Sequence, residues 1–268
     1  MDKRLILNKY SKPEEKLLIS KMIDKIELTT NKNKIQNTDF LDIYQSHLLE
    51  KILKQEKVKN YIINGGISDS ERNIIVFFPE KLSEIVNTNT SKILPIKCIR
   101  IKLPKEMYGK YTHRDYLGGL IKLGIKREKI GDILVFEDGA DILILEEIYK
   151  FVITNITQLT RFSKSEIEVV NLEDVREKKI NKKEINLIVS SMRLDCIVSE
   201  IAKTSRGKAE EIINDARVFV NYENIMKSTK QIKEKDIITI RRIGKFKLEK
   251  IDGKTRNDRV KIIVSQYI

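Results

Sequence analysis

Residues 192–248 read MRLDCIVSEIAKTSRGKAEEIINDARVFVNYENIMKSTKQIKEKDIITIRRIGKFKL. The fold of the chain turns on how this stretch is parsed. Leu194, Ile197, Val198 and Ile201 recur at helical spacing, on one face of a first short helix. Ser205 suits the N-cap of a second helix, with Ala209, Ile212, Ile213 and Ala216 facing inward. Val218 and Val220 alternate as a strand, and Ile238 and Ile240 as another after a turn at Lys235-Asp236. Arg206 and Lys208 would stand at the N-terminal end of the second helix. The helix dipole opposes cations there unless an anion binds, and the first N–H groups favour phosphate. An ordinary solvated face mixes both signs; residues 203–208 hold three bases and no acid.

The whole chain supports a polyanion partner. Its formal net charge is +13 in 268 residues. Residues 192–268 contribute 18 Lys+Arg against 11 Asp+Glu, or +7 in 77 residues. A basic terminal third of this kind fits RNA, DNA or an anionic membrane. Two cysteines, Cys98 and Cys196, make neither a disulfide framework nor a metal cluster, which points to a reducing cytoplasm. With only His47 and His113, a His-rich metal site is excluded, and no cofactor is expected. No apolar run suggests a signal peptide or a membrane span.

Working back toward the N-terminus, residues 173–184 form a charged connector without apolar period, read as a linker between 74–172 and 185–268. Residues 74–172 give strand (97–103), helix (113–123), strand (133–137), strand (141–145), helix (146–158) and strand (166–172), behind a buried IIVFF strand at 74–78. That βαββαβ order is ferredoxin-like and is shared by RNA-recognition domains. It lacks the aromatic-rich strands on which such domains stack bases, so function does not follow from the order. Residues 1–73 read as helical. A first helix starts near Ser11 and Pro13, with Leu17, Leu18, Met22 and Ile26 inward. After the polar break TTNKNKIQN, a second starts near Thr38, with Phe40, Ile43, Tyr44, Leu48 and Ile52 inward and His47 at the edge. The fold class is α+β.

His113-Arg114-Asp115 imitates the opening of a kinase catalytic loop. A kinase needs Asn five positions after the Asp, where Leu120 stands, and no DFG or glycine-rich phosphate loop accompanies it. Thr112 and Asp115 instead fit a capping box that starts a helix, with Leu117, Leu120 and Ile121 as its stripe and Gly124 closing it. Gly118-Gly119 costs that helix stability, which suggests a close backbone neighbour.

Arg193-Leu194-Asp195, Ser205-Arg206, Lys208-Ala209, Val218-x-Val220-Asn221 and Lys235-Asp236 together resemble the S4 (αL-type) RNA-binding domain. Ala216 departs from it, standing where a helix-ending Gly is usual. GGISDSERNIIVFFPE, HRDYLGGLIKLGIKREKIGDILV, SSMRLD and the ending RRIGKFKLEKIDGKTRNDRVKIIVSQYI are similar to the YlmH family of bacterial S4 proteins, over nearly the whole chain. In that family Tyr222 is commonly Trp. The resemblance implies a non-catalytic RNA-binding protein on the large ribosomal subunit. There it would meet rRNA and tRNA and handle obstructed subunits that carry peptidyl-tRNA.

Arg193, Ser205, Arg206, Lys208, Arg217, Asn221, Arg241, Arg242 and Lys245 are the expected RNA contacts. Arg206 would grip phosphate bidentately, with Asp195 as a structural partner of Arg193. His113, Arg114, Lys126, Arg127 and Lys129 form a secondary basic set. A monomer is expected, with a C-terminal β-hairpin and no membrane partner. Two alternatives remain. One is a cell-division adaptor, which calls for a basic amphipathic helix with large exposed apolars that the chain lacks. The other is an S4-bearing RNA-modifying enzyme. RLDCIV lacks the Thr-Ser-Gly that follows a pseudouridine synthase Asp, and neither Gly65-Gly66 nor Gly118-Gly119 makes a methyltransferase cofactor loop. A tyrosyl-tRNA synthetase is equally unsupported, since MKSTK is a poor match to its KMSKS element.

Overall fold

The computed structural model describes residues 1–88, 90–177 and 182–267. The chain divides into two units, Met1–Glu177 and Lys178–Ile268, each combining helices with antiparallel sheet. Within the 173–184 connector, residues 178–181 lie outside the described residues, as does the terminal residue 268.

The first unit begins with α1 (Lys3–Leu7), α2 (Pro13–Lys32), β1 (Gln36–Asn37), α3 (Ile43–Gln55), β2 (Tyr61–Asn64) and β3 (Ile74–Phe77). Pro13 occupies the first turn of α2, where its missing N–H costs nothing, and Glu14 and Glu15 complement the dipole. The buried face of α2 is Ile19, Met22 and Ile23, while Leu17 is exposed. The expected stripe was therefore turned slightly away from the true one, because a run of apolar residues fits more than one face. The polar break is also shorter than expected: α2 continues to Lys32, with Thr29 buried, and ends at left-handed Asn33. α3 starts at Asp42 rather than near Thr38. Gln45 N–H donates to Asp42 at 2.8 Å and Asp42 N–H to Gln45 at 3.0 Å, a capping box the sequence reading passed over. Thr38 instead accepts the N–H of Ile75, and His47 lies on the exposed side of α3.

β3 is the middle strand of a β1-β3-β2 sheet, and its alternation ties the unit together. Ile75 and Phe77 pack on α2 and α3. Ile74 and Val76 pack with Phe40, Ile96, Cys98 and Leu143. A boundary at 73/74 thus falls beside a strand whose two faces serve two cores, and residues 1–177 form one unit.

After α4 (Ser83–Thr88) and α5 (Thr90–Ile93) come β4 (Ile96–Lys102), α6 (His113–Lys122), β5 (Ile130–Phe136), β6 (Gly139–Leu145), α7 (Tyr149–Asn155) and β7 (Glu166–Val170). The sheet order is β5-β6-β4-β7, all antiparallel, so the first and third strands of the βαββαβ series are central. One face carries Ile99, Ile101, Ile142 and Ile144 against Tyr116, Leu120, Val152 and Ile156 of the α6–α7 layer. The opposite face is covered as well, by Phe40, Ile74 and Val76. Phe40 lies so close that a Cβ at Gly131 would stand 2.7 Å from its ring. An RNA-recognition domain needs that second face open for base stacking. Here hydrophobic packing closes it.

Asp115 serves the start of α6, accepting the Thr112 N–H at 2.9 Å and the Thr112 hydroxyl at 2.8 Å. Arg161 adds an ion pair at 3.0 Å. These hydrogen bonds hold the Asp115 carboxyl below its usual range. Of the glycine pair, only Gly119 is confined, and by a side chain rather than a backbone: a Cβ would meet Phe162 at 2.9 Å.

In the second unit, β8 (Lys182–Val189), α8 (Leu194–Ile201), α9 (Arg206–Asn214), β9 (Val218–Val220), β10 (Glu223–Asn224), β11 (Ile237–Ile240), β12 (Gly244–Lys254) and β13 (Val260–Tyr267) follow in order. The sheet runs β10-β9-β11-β12-β13-β8, with the long β12–β13 hairpin next to the edge strand β8. Residues 182–184, assigned to the linker from sequence, are the first residues of edge strand β8. Leu194, Ile197, Val198, Ala209 and Ile213 from the helices pack on Val218, Val220, Ile238, Ile240 and Phe246 from one face of the sheet.

Candidate nucleic-acid interface

α8 begins where the 228–231 segment braces it: Leu194 N–H donates to Lys230 O at 2.8 Å and Asp195 N–H to Ser228 O at 3.1 Å. This places the Asp195 carboxylate, fully buried, between two arginines. Arg193 donates through Nε and Nη2 at 3.1 and 2.8 Å, and Arg206 through Nε at 2.9 Å and Nη2 at 2.8 Å. The Cys196 N–H adds a third kind of donor at 2.9 Å. Burial pushes the carboxyl up, but these charge-assisted hydrogen bonds outweigh it and hold it at about 2. The first Arg of α9 is therefore fastened to the start of α8. Arg206 is not a phosphate fork standing free, as its position at the helix start suggested, although half of its side chain remains exposed.

Ser205 caps α9 by accepting the Lys208 N–H at 3.3 Å. The first turn holds no acid, and Lys203, Arg206 and Lys208 are all exposed around it. An anion arriving here meets amide dipoles and cations together. At the other end, Ala216 adopts φ +55°, so the turn keeps the left-handed geometry that glycine would take without strain. Ala216→Gly should stabilise the second unit by about 0.5–1 kcal/mol, read as a raised urea midpoint.

The remaining expected contacts separate. Asn221 spends its side-chain amide internally, donating to Asp236 at 2.8 Å and accepting the Ile237 N–H at 2.9 Å. These bonds explain why Val-x-Val-Asn and Lys-Asp occur together, and they engage both ends of the side-chain amide expected to meet RNA. Arg217 and Arg241 lie together at the β9 start and the β11 end, with Arg241 N–H donating to Arg217 O at 2.9 Å. Arg242 is exposed in the following turn at φ +70°. Lys245 lies 5.3 Å from the Tyr222 ring and 5.0 Å from the Tyr267 ring. Sequence reasoning missed Tyr267, Phe219 and Lys182 as partners of this group. Period-two alternation marked the face of Phe219, but nothing local gives the strand pairing that assembles the three.

The secondary basic set does not form a patch in the first unit. His113 and Arg114 are exposed at the start of α6, and Lys126 is exposed beyond its far end. Lys129 pairs with Asp39 at 2.6 Å and Glu147 at 2.5 Å, and Arg127 donates to Ile130 O at 2.6 Å. Those two are structural. Among the described residues no helix is long and apolar enough to cross a membrane.

These features define a class: a two-unit α+β chain whose C-terminal unit presents cations around a capped helix start, beside a buried aspartate paired with two arginines. Comparison with known proteins narrows the class. Residues 90–175 match the family model described as "Putative RNA-binding domain in YlmH". The chain is 25% identical over 253 residues, 94% of its length and 95% of the relative's, to "Ribosome-associated protein quality control protein P2" of Bacillus subtilis (strain 168). A solved structure, "Cell division protein ylmH from Streptococcus pneumoniae", shares the fold with a TM-score of 0.50 at 19% identity. It covers 62% of this chain and 98% of that one. The resemblance to the YlmH family read from the sequence is thereby shown.

Proposed function

We propose that this chain is a non-catalytic, monomeric RNA-binding protein of the cytoplasm that works on the ribosome, and that its second unit is an S4 domain. The observation that carries the reading is the acid-free first turn of α9, where Lys203, Arg206 and Lys208 surround a Ser205-capped helix start. The RNA-binding family model over residues 90–175 and the ribosome-associated name of the Bacillus subtilis relative support the same partner. The family resemblance extends it to the large subunit, to rRNA and tRNA there, and to obstructed subunits that carry peptidyl-tRNA. No catalytic step is proposed: Asp115 caps a helix and Asp195 pairs with two arginines, which supports structural roles for both acids.

Binding by this surface is electrostatic. With about six phosphate contacts, association with large ribosomal subunits should fall by orders of magnitude between about 50 and 200 mM salt. Lys203→Ala with Lys208→Ala should lower the salt slope by about two, one for each lost phosphate contact, and leave the melting temperature unchanged. Co-sedimentation with purified subunits across a salt series measures this. An unchanged slope would remove the α9 start as the RNA surface.

A further inference from the structure

The C-terminal sheet carries a second charged surface, on the face turned away from α8 and α9. Phe219 of β9 stands opposite Thr239 of β11, Thr239 opposite Lys245 of β12, Lys245 opposite Tyr267 of β13, and Tyr267 opposite Lys182 of β8. Directly opposite residues of antiparallel strands point to the same side. The side is fixed by alternation, since Val218, Val220, Ile238, Ile240 and Phe246 are the residues buried under the helices. One row therefore crosses five strands on the outer face. With neighbouring strands about 4.8 Å apart, the three steps from Phe219 to Tyr267 span about 14 Å.

Rings and cations interleave along this row. The Arg241 guanidinium lies 5.0 Å from the Phe219 ring. The Lys245 ammonium is 5.0 Å from Tyr267 and 5.3 Å from Tyr222, and Lys182 is 5.1 Å from Tyr267. Tyr222 reaches the row from the β9–β10 turn, where Asn221 and Tyr222 both take positive φ (49° and 68°), the backbone of a tight two-residue hairpin. All three rings are half-buried, and Lys182 and Arg241 are exposed. Farther along the same sheet the lysines follow the ordinary surface pattern: Lys235 and Lys247 pair with Glu249. Along the row, cations are set over aromatic faces.

We propose that this face is a stacking platform for a single-stranded RNA segment, with Phe219, Tyr222 and Tyr267 stacking bases while Arg241, Lys245 and Lys182 hold its backbone. Bases present π-faces and phosphates present negative charge, and a row of alternating rings and cations is complementary to both. A duplex keeps its bases stacked on each other and offers such a row only phosphate. An acidic protein segment offers charge without a face to stack. This platform rests on the RNA-binding reading above and adds to it a second surface and a single-stranded ligand. In the first unit the corresponding face of the β5-β6-β4-β7 sheet is packed against Phe40 and Val76.

The test uses the full chain with a labelled single-stranded pyrimidine octamer, the same sequence in duplex form, and poly-glutamate as competitor. Tyr222→Asn, which tolerates the left-handed turn, combined with Tyr267→Leu should weaken single-strand binding about tenfold or more and leave duplex binding unchanged. Tyr222→Trp should bind the octamer at least as well as the unaltered chain. Arg241→Gln, which keeps every ring, should lower the salt slope for the octamer by about one and serves if the double variant melts early. Unchanged octamer affinity in the ring variants overturns the platform, as does an equal loss for duplex, or displacement of the octamer by poly-glutamate at matched charge. If the ring variants bind normally while Lys203→Ala with Lys208→Ala loses ribosomal subunits, the platform falls and the function above stands. If both variant chains keep full association, both fall.

Discussion

Asp141→Ala should be the most damaging single change in the first unit, costing about 3–5 kcal/mol. Asp141 is fully buried opposite Arg100 in the β4–β6 ladder and accepts hydrogen bonds from Nε and Nη2 of Arg100 at 2.8 and 2.7 Å. Arg176 approaches from the segment after β7 and donates its Nη2 at 2.7 Å and its backbone N–H at 3.0 Å. The same Arg176 reaches Asp138 at 2.6 Å and lies 4.0 Å from the Phe136 ring. One carboxylate thus fastens the end of the unit to its central strands. Removing it leaves Arg100 packed at the sheet without its ion-pair partner and Arg176 with Asp138 alone, which costs more than the pair contributes when intact. Hydrogen exchange is the direct readout: amides of Ile96–Lys102 should lose protection while those of Val260–Tyr267 keep theirs.

The same carboxylate makes the first unit acid-sensitive. Burial alone would push Asp141 up, yet the hydrogen bonds from Arg100 and Arg176 hold it at about 2, against 3.8 unperturbed. A folded-state value below the unfolded one contributes stability that is present above about pH 4 and lost as pH falls through 2. The difference is worth about 2 kcal/mol. Urea midpoints of the unaltered chain should decline across that window, and the Asp141→Ala chain should decline less.

What the sequence revealed and what it hid follow one rule. Features fixed by near neighbours were legible: the Thr112–Asp115 cap, the Ser205 cap, the α8 and α9 apolar faces and the βαββαβ order. Features fixed by strand pairing or by a distant partner were not. The IIVFF run was legible as a strand, but not its place between β1 and β2, because a strand buried on both faces carries no mark of which core it serves. Arg206 reads identically as a phosphate ligand or an ion-pair partner until α8 and α9 are packed together. Asn221 and Asp236 are fifteen residues apart, and only the β9–β11 register makes them a hydrogen-bonded pair. Lys182 lay in a stretch too polar to be taken for a strand, since β8 is an edge strand with exposed positions at its start.

Asp195 decides what the catalytic-looking acid of the second unit does, and Asp195→Asn should lower stability before it alters anything else. The buried carboxylate joins the start of α8 to the start of α9 through Arg193 and Arg206. Its loss should cost about 2 kcal/mol, less than at Asp141, because Arg206 is half exposed and solvent screens its share of the pair. The carboxyl, held at about 2, again contributes stability above about pH 4 that disappears as pH falls through 2. Arg206→Lys should reproduce part of the loss at pH 7, since an ammonium cannot match the two-nitrogen approach of the guanidinium. Both variants should reduce ribosome association in step with the unfolded fraction, whereas Lys203→Ala with Lys208→Ala reduces it at constant stability. Urea melts beside subunit co-sedimentation separate the two. An Asp195→Asn chain that melts normally but no longer supports an RNA-modifying reaction would mean that Asp195 is a base after all. Equal melting and equal association would mean that the α8–α9 junction is held by apolar packing alone.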